Sequence, residues 1–139
     1  MQLKALFNKY NYYIVTEKTK SSKYLEDEYK NKVSYLVYGT KKNPFTYCFI
    51  FLFNIIKSFM IFLNQKPNVI VTTGTHTAVP MCYIAKLFGK KVIYIETFAN
   101  RNTKTVAGRL VYPIANVFVV QWEEMLKIYP KAKYWGWIY

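Results

Sequence analysis

Apolar residues recur along this chain with two periods, and polar turns separate the segments. Residues 12–16 (YYIVT) and 33–38 (VSYLVY) read as strands. Residues 69–72 (VIVT), 91–95 (KVIYI) and 117–120 (VFVV) are short β-branched runs of the kind that fills a strand buried on both faces. Helical spacing marks residues 1–9, with Leu3, Leu6 and Phe7 on one face, and residues 79–88, which stop at Gly89. A helical turn is expected at 23–29 within the polar stretch 17–32. Residues 111–114 complete a short helix after the basic stretch 97–110. A further helix opens at Gln121 and runs to about Ile128, where Pro130 stops it. Residues 134–138 form a last short strand or an extended tail.

Helices thus alternate with strands, which predicts an α/β fold with a Rossmann-like, doubly wound parallel sheet. The clearest unit is 68–96, a strand, a glycine-containing loop, a helix, a Lys90-Lys91 turn and a second strand. Such a βαβ unit is parallel and right-handed by strong preference. Ligands bind outside the carboxyl ends of such strands. Thr73, Gly74, Thr75 and His76 follow one strand and Glu96 the other, so both groups are expected at a crevice.

Residues 45–63 (FTYCFIFLFNIIKSFMIFL) need separate treatment, because they are long enough to be tested as a membrane span. Asn54, Lys57 and Ser58 share one face of that helix as a narrow polar stripe in a wide apolar arc. The pattern suits a helix that covers a sheet and touches a membrane, then a simple buried helix, then a true span. A span would bury Lys57 near its middle at a cost of a few kcal/mol.

Composition changes this picture modestly. One domain over 1–139 is expected from the length and from the lack of any repeat or linker. Aromatic residues make up 19% of the chain, which excludes a disordered class. The formal charge of +13 favours an anionic partner. Only two arginines are present and no nucleic-acid motif is found, so a membrane face or a phosphate-bearing substrate fits better than nucleic acid. A solvated lysine-rich surface is the competing account. One histidine and two distant cysteines, Cys48 and Cys82, give no metal-ligand spacing; neither a metal nor a cofactor is expected.

Each candidate has two readings. Gly74 either lets the backbone approach a phosphate or simply makes a tight turn. His76, the one histidine of the chain, either touches substrate or sits in solvent. Glu96 either meets a ligand, orienting a hydroxyl or acting as a base, or acts locally, as a helix cap or a partner of Arg101. Arg101, Lys104 and Arg109 suit pyrophosphate or lipid headgroups, or form a solvated face; Lys57 is a further candidate for such contact. Trp122 is a stacking or interface surface unless it is core. Trp135, Trp137 and Tyr139 close the chain as an aromatic tail suited to docking a partner.

The segments VIVTTGTHTAVP, KLFGKKVIYIETFANR and GRLVYPIANVFVVQWEEMLKIYPKA together resemble one glycosyltransferase family. It is the family of the membrane-anchoring subunit of the two-part UDP-N-acetylglucosamine transferase of lipid-linked oligosaccharide synthesis. Its bacterial branch comprises the PssD/CpsF-type polysaccharide subunits, also called β-1,4-galactosyltransferase enhancers.

The resemblance implies the N-terminal half of a split GT-B glycosyltransferase. A separate C-terminal-half chain would hold most contacts to the UDP-sugar. This chain would recruit it to the cytoplasmic membrane face and help bind a polyprenyl-pyrophosphate-linked acceptor, in capsular or exopolysaccharide synthesis. Transfer would be an inverting displacement, with no catalytic base identified here. Family members begin with a strand and a Ser-Gly-Gly-His-like loop, and this chain starts just beyond it. Other departures are Gly74-Thr75-His76 in place of Gly-Pro-Gly, Asn100 before Arg101, and Trp135-Gly136-Trp137 in place of a glycine pair. A non-catalytic membrane scaffold and a truncated, nonfunctional fragment are the alternatives.

Overall fold

The computed structural model describes residues 3–38 and 44–138. The polar connection around Gly39 and the expected docking residue Tyr139 lie outside the described residues. The chain divides into two compact units, Met1–Gln65 and Lys66–Tyr139, and each is taken separately.

In the first unit, β1 (Ile14–Glu17) and β2 (Val33–Leu36) pair in parallel, with Ile14 opposite Val33 and Glu17 opposite Leu36. Helix α1 (Lys4–Phe7) precedes them and α2 (Tyr24–Tyr29) lies in the crossover. Stacking of Phe7 on Tyr12, with Tyr29 edge-on to both, ties α1 and α2 to the start of β1. A Lys4–Glu28 ion pair joins the two helices at the surface.

Helix α3 (Pro44–Gln65) is the long apolar segment, longer at both ends than its sequence core. Its polar stripe points inward. Asn54 is buried, and its amide donates to the Val37 carbonyl and accepts from the Val37 N–H, both at 2.9 Å. A side-chain amide thereby satisfies backbone groups that a neighbouring strand would otherwise pair. Ser58 and Phe62, one and two turns on, are also buried. The wide apolar arc points outward: Phe45 is 82% exposed and Phe49 73%, and Leu52, Phe53, Ile56, Met60 and Leu63 continue the face. This corrects the reading of α3 as a simple buried helix.

In the second unit, β3 (Val69–Thr72), β4 (Lys91–Ile95), β5 (Val117–Val120) and β6 (Lys133–Tyr134) form one parallel sheet in that order. Helix α4 (Val79–Leu87) links β3 to β4 and α5 (Val106–Val111) links β4 to β5. Strands β4 and β5 carry the core: Val92, Tyr94, Val119 and Val120 have no exposed surface, nor do Cys82 and Ala85 of α4. Tyr94 stacks on Phe118, which in turn meets Tyr112 and Tyr129.

Two expectations need correction here. Strand β3 is not buried on both faces: Val69 and Val71 are exposed, because β3 is the outer strand of its sheet. The helix expected from Gln121 to about Ile128 is a 3₁₀ turn over Glu123–Lys127, since the chain must return within a few residues to the start of β6 at Lys133.

Candidate functional site

Parallel pairing brings the carboxyl ends of β3, β4, β5 and β6 to one edge. Gly74 follows β3 with φ +87°, a conformation that L side chains rarely adopt. A methyl group there would lie 3.3 Å from the Ile95 carbonyl and from the Thr97 N–H. The glycine loop therefore packs on the end of β4, immediately beside Glu96. Beyond it, His76 opens a 3₁₀ turn (His76–Ala78) that leads into α4 and is half-buried. Thr73 and Thr75 are exposed, and Thr75 accepts from the hydroxyl of buried Thr77.

Where the sequence pattern points Glu96 at a crevice, the structure turns its carboxylate inward. Glu96 is 1% exposed. Oε1 accepts from the Thr97 N–H at 2.9 Å and from the Thr105 hydroxyl at 3.0 Å. Oε2 accepts from the same hydroxyl at 3.0 Å and from the Tyr129 hydroxyl at 3.1 Å. Thr105 caps α5, its oxygen accepting from the Gly108 N–H at 2.9 Å. Burial, and then the neighbouring Glu96 charge, hold the Tyr129 hydroxyl well above the ordinary tyrosine range, so it stays protonated and donates. A buried carboxylate requires donors of this kind.

Gly108 makes the arrangement sterically feasible. A Cβ at that position would approach Oε2 of Glu96 and lie 2.6 Å from the Tyr129 hydroxyl. Gln121, also buried, donates from its amide to the Glu96 carbonyl at 2.9 Å and accepts from the Ile138 N–H at 3.1 Å. Glu96 thus joins the ends of β4 and β5, the start of α5 and the C-terminal tail.

Above this buried network lies an aromatic cluster. Trp122 donates from its indole N–H to the Phe98 carbonyl at 2.8 Å, and its ring lies 4.6 Å from that of Phe98. Trp137 meets both rings at 5.7 Å while remaining 68% exposed. The Arg101 guanidinium covers the Trp122 ring and pairs with Glu124, not with Glu96. Rings and guanidinium together can take a flat polar ligand or a partner's side chains by stacking and cation–π contact. Trp135 stands apart, exposed, with Lys133 over its ring. Lys104 lies over the Tyr129 ring, and Arg109 is exposed in the last turn of α5. Lys57 belongs to α3 in the first unit and is half-buried.

The profile of the family described as "Oligosaccharide biosynthesis protein Alg14 like" matches residues 2–138. The chain belongs to that family. This Alg14-like chain is 38% identical over 80 residues to the UDP-N-acetylglucosamine transferase subunit ALG14 of Kluyveromyces lactis, a match covering 53% of the chain and 34% of that protein. It is 34% identical over 85 residues to the Homo sapiens protein of the same name, covering 57% of the chain and 39% of that protein. The chain therefore spans well under half the length of these relatives.

Among solved structures, Acinetobacter baumannii MurG aligns with a TM-score of 0.67 at 16% identity, over 88% of this chain and 37% of that one. A UDP-GlcNAc 2-epimerase from Methanocaldococcus jannaschii aligns at 0.62 and 17% identity, over 91% and 36%. At such identities the likeness shows the fold, a parallel-sheet α/β arrangement of the GT-B glycosyltransferase type.

Sequence reasoning did not find Thr105, Tyr129, Gln121 or Phe98. One signal was available for Thr105: a threonine three places before Gly108 at the start of an apolar run is an N-cap pattern. Tyr129 carries no local mark, because its partner is 33 residues away.

Proposed function

We propose that this chain is the membrane-attaching, non-autonomous subunit of a two-chain glycosyltransferase. A separate chain holds the UDP-sugar, and the complex transfers the sugar to a polyprenyl-pyrophosphate-linked acceptor at the cytoplasmic membrane face. The observation that carries this reading is the Alg14-like profile running from residue 2 to residue 138. The relatives are named as N-acetylglucosamine transferase subunits, which favours that sugar as the one transferred. A capsular or exopolysaccharide setting is the narrower form of the proposal. It rests on the motif resemblance to bacterial subunits and draws no support from these relatives.

The outward apolar arc of α3 supports the membrane part. It is the one helix among the described residues long and apolar enough to cross a bilayer. The exposed apolar side chains from Phe45 to Leu63 are together worth on the order of 10 kcal/mol if buried in lipid. With Asn54 and Ser58 turned inward, the apolar face is free to meet acyl chains.

In this reading the two units together are the N-terminal domain of a split GT-B enzyme. Thr73, Gly74, Thr75, His76 and Arg101 line the acceptor side of the strand-end edge. Glu96 serves that edge from below, by holding the loop that carries Phe98 and Arg101. Lys57, Lys104 and Arg109 neutralise phosphate or headgroup charge. Trp122, Trp135, Trp137 and Tyr139 meet the partner chain. The test is retention of a family nucleotide-sugar-binding subunit on the immobilised full-length chain. We expect retention, and its loss in a Trp135→Ala/Trp137→Ala double variant; no retention by the unaltered chain would contradict the subunit reading.

The burial of Glu96 favours a second reading, a membrane scaffold without catalytic contribution. Substituting His76→Ala and Glu96→Gln in the assembled complex separates the two. Transfer that survives both changes, with partner binding intact, selects the scaffold.

A further inference from the structure

The turn from α4 into β4, Lys86-Leu87-Phe88-Gly89-Lys90-Lys91, has no part in the site described above. Leu87 is 83% exposed and Phe88 50%. The apex is rigidly built: the Lys90 N–H donates to the Ala85 carbonyl at 2.8 Å and the Gly89 N–H to the Lys86 carbonyl at 3.1 Å. With Gly89 at φ +67°, this is the Schellman closure of a helix. Nothing lies within 4 Å of a Cβ built at Gly89, so the apex is convex and open.

Charge is distributed to match. Lys86, Lys90 and Lys91 flank the two apolar side chains. Lys66, ahead of β3, and Lys131 and Lys133, at the start of β6, lie at the same amino-terminal end of the strands. The acidic residues of this unit are Glu96, Glu123 and Glu124, and all three follow the carboxyl ends of β4 and β5. Within this unit, the amino-terminal end of the sheet therefore carries lysine and none of the unit's acidic side chains.

We infer that this turn is a second membrane contact, in which Leu87 and Phe88 enter the interface of an anionic bilayer while Lys86, Lys90 and Lys91 bind its phosphates. Protruding apolar side chains ringed by lysine are the pattern that buries shallowly at headgroup level. A protein partner would need a pocket to receive a convex apex; a bilayer accommodates one without preformed shape. Lysines near an anionic surface each strengthen binding roughly five-fold. The inference rests on the membrane reading above but not on α3, since the two contacts are on different units.

The test uses the full-length chain carrying Cys48→Ser, with an environment-sensitive dye attached through Leu87→Cys. A parallel chain carries the dye through Phe49→Cys on α3. Vesicles are phosphatidylcholine with or without phosphatidylglycerol. On phosphatidylglycerol vesicles the dye at position 87 should shift to the blue and become several-fold less accessible to acrylamide. Adding K86Q, K90Q and K91Q should reverse both changes while the α3 dye stays buried.

A position-87 dye that remains aqueous while the α3 dye enters the bilayer overturns the inference and leaves the membrane reading standing. Dyes that both remain aqueous overturn the two together. An equal shift on pure phosphatidylcholine, or a shift without lipid as the protein concentration rises, also overturns it, the latter in favour of self-association.

Discussion

Gly108 is the position where one methyl group should do most damage. Its Cβ would enter the space held by the Glu96 carboxylate and the Tyr129 hydroxyl. Overpacking of that kind costs about 1–3 kcal/mol, so Gly108→Ala should lower the denaturant midpoint by a corresponding amount. Tyr129→Phe removes one donor from a buried carboxylate at about 1–3 kcal/mol. That variant also carries a pH signature. The folded hydroxyl titrates above its unfolded value of about 10, so its stabilisation is complete below that pH and is lost as pH rises through the folded value. Unfolding measured from about pH 8 to about pH 11 should therefore decline less steeply for Tyr129→Phe than for the unaltered chain. At this scale the sequence was informative about backbone and poor about partners. Gly74 was legible because a strand–Gly–helix turn demands its φ. The inward turn of Glu96 was not, because two of its donors come from Thr105 and Tyr129, which only the folded sheet brings near.

Helix α3 is the element with the most direct consequence. Cys48 is exposed on it, and Cys82 is buried in α4, where burial pushes the thiol up to about 12. A water-soluble maleimide should label Cys48 in mild detergent and leave Cys82 unmodified until the chain unfolds. On vesicles, labelling of Cys48 should also fall sharply. Unchanged Cys48 labelling on vesicles, measured by mass spectrometry, would place the outward face of α3 in water. The polar stripe was visible in the spacing of Asn54, Lys57 and Ser58, but its direction was not. Periodicity identifies a face, and only the Asn54–Val37 hydrogen bonds say that it points inward. The same limit explains β3. Its β-branched run promised burial on both faces, while its place at the edge of the sheet leaves Val69 and Val71 exposed. The runs at Lys91–Ile95 and Val117–Val120 kept most of the burial that their pattern promised, because those strands are interior.

For the whole molecule, alternating elements were enough to indicate a parallel α/β fold, and the likeness to MurG agrees with it. Exposed Val69 and Val71 on β3 and the outward apolar face of α3 both leave surface that other chains or lipid can cover. The chain expressed alone should therefore require detergent or lipid; a monodisperse monomer in plain buffer by light scattering would contradict this. As proposed above, the chain is half of a two-chain enzyme. The most direct test is transfer of radiolabelled N-acetylglucosamine from its UDP donor to a polyprenyl-pyrophosphate-linked acceptor in vesicles. It should be run with this chain, with the nucleotide-sugar-binding subunit, and with both. The account predicts product only when both are present. Robust transfer by this chain alone would contradict it.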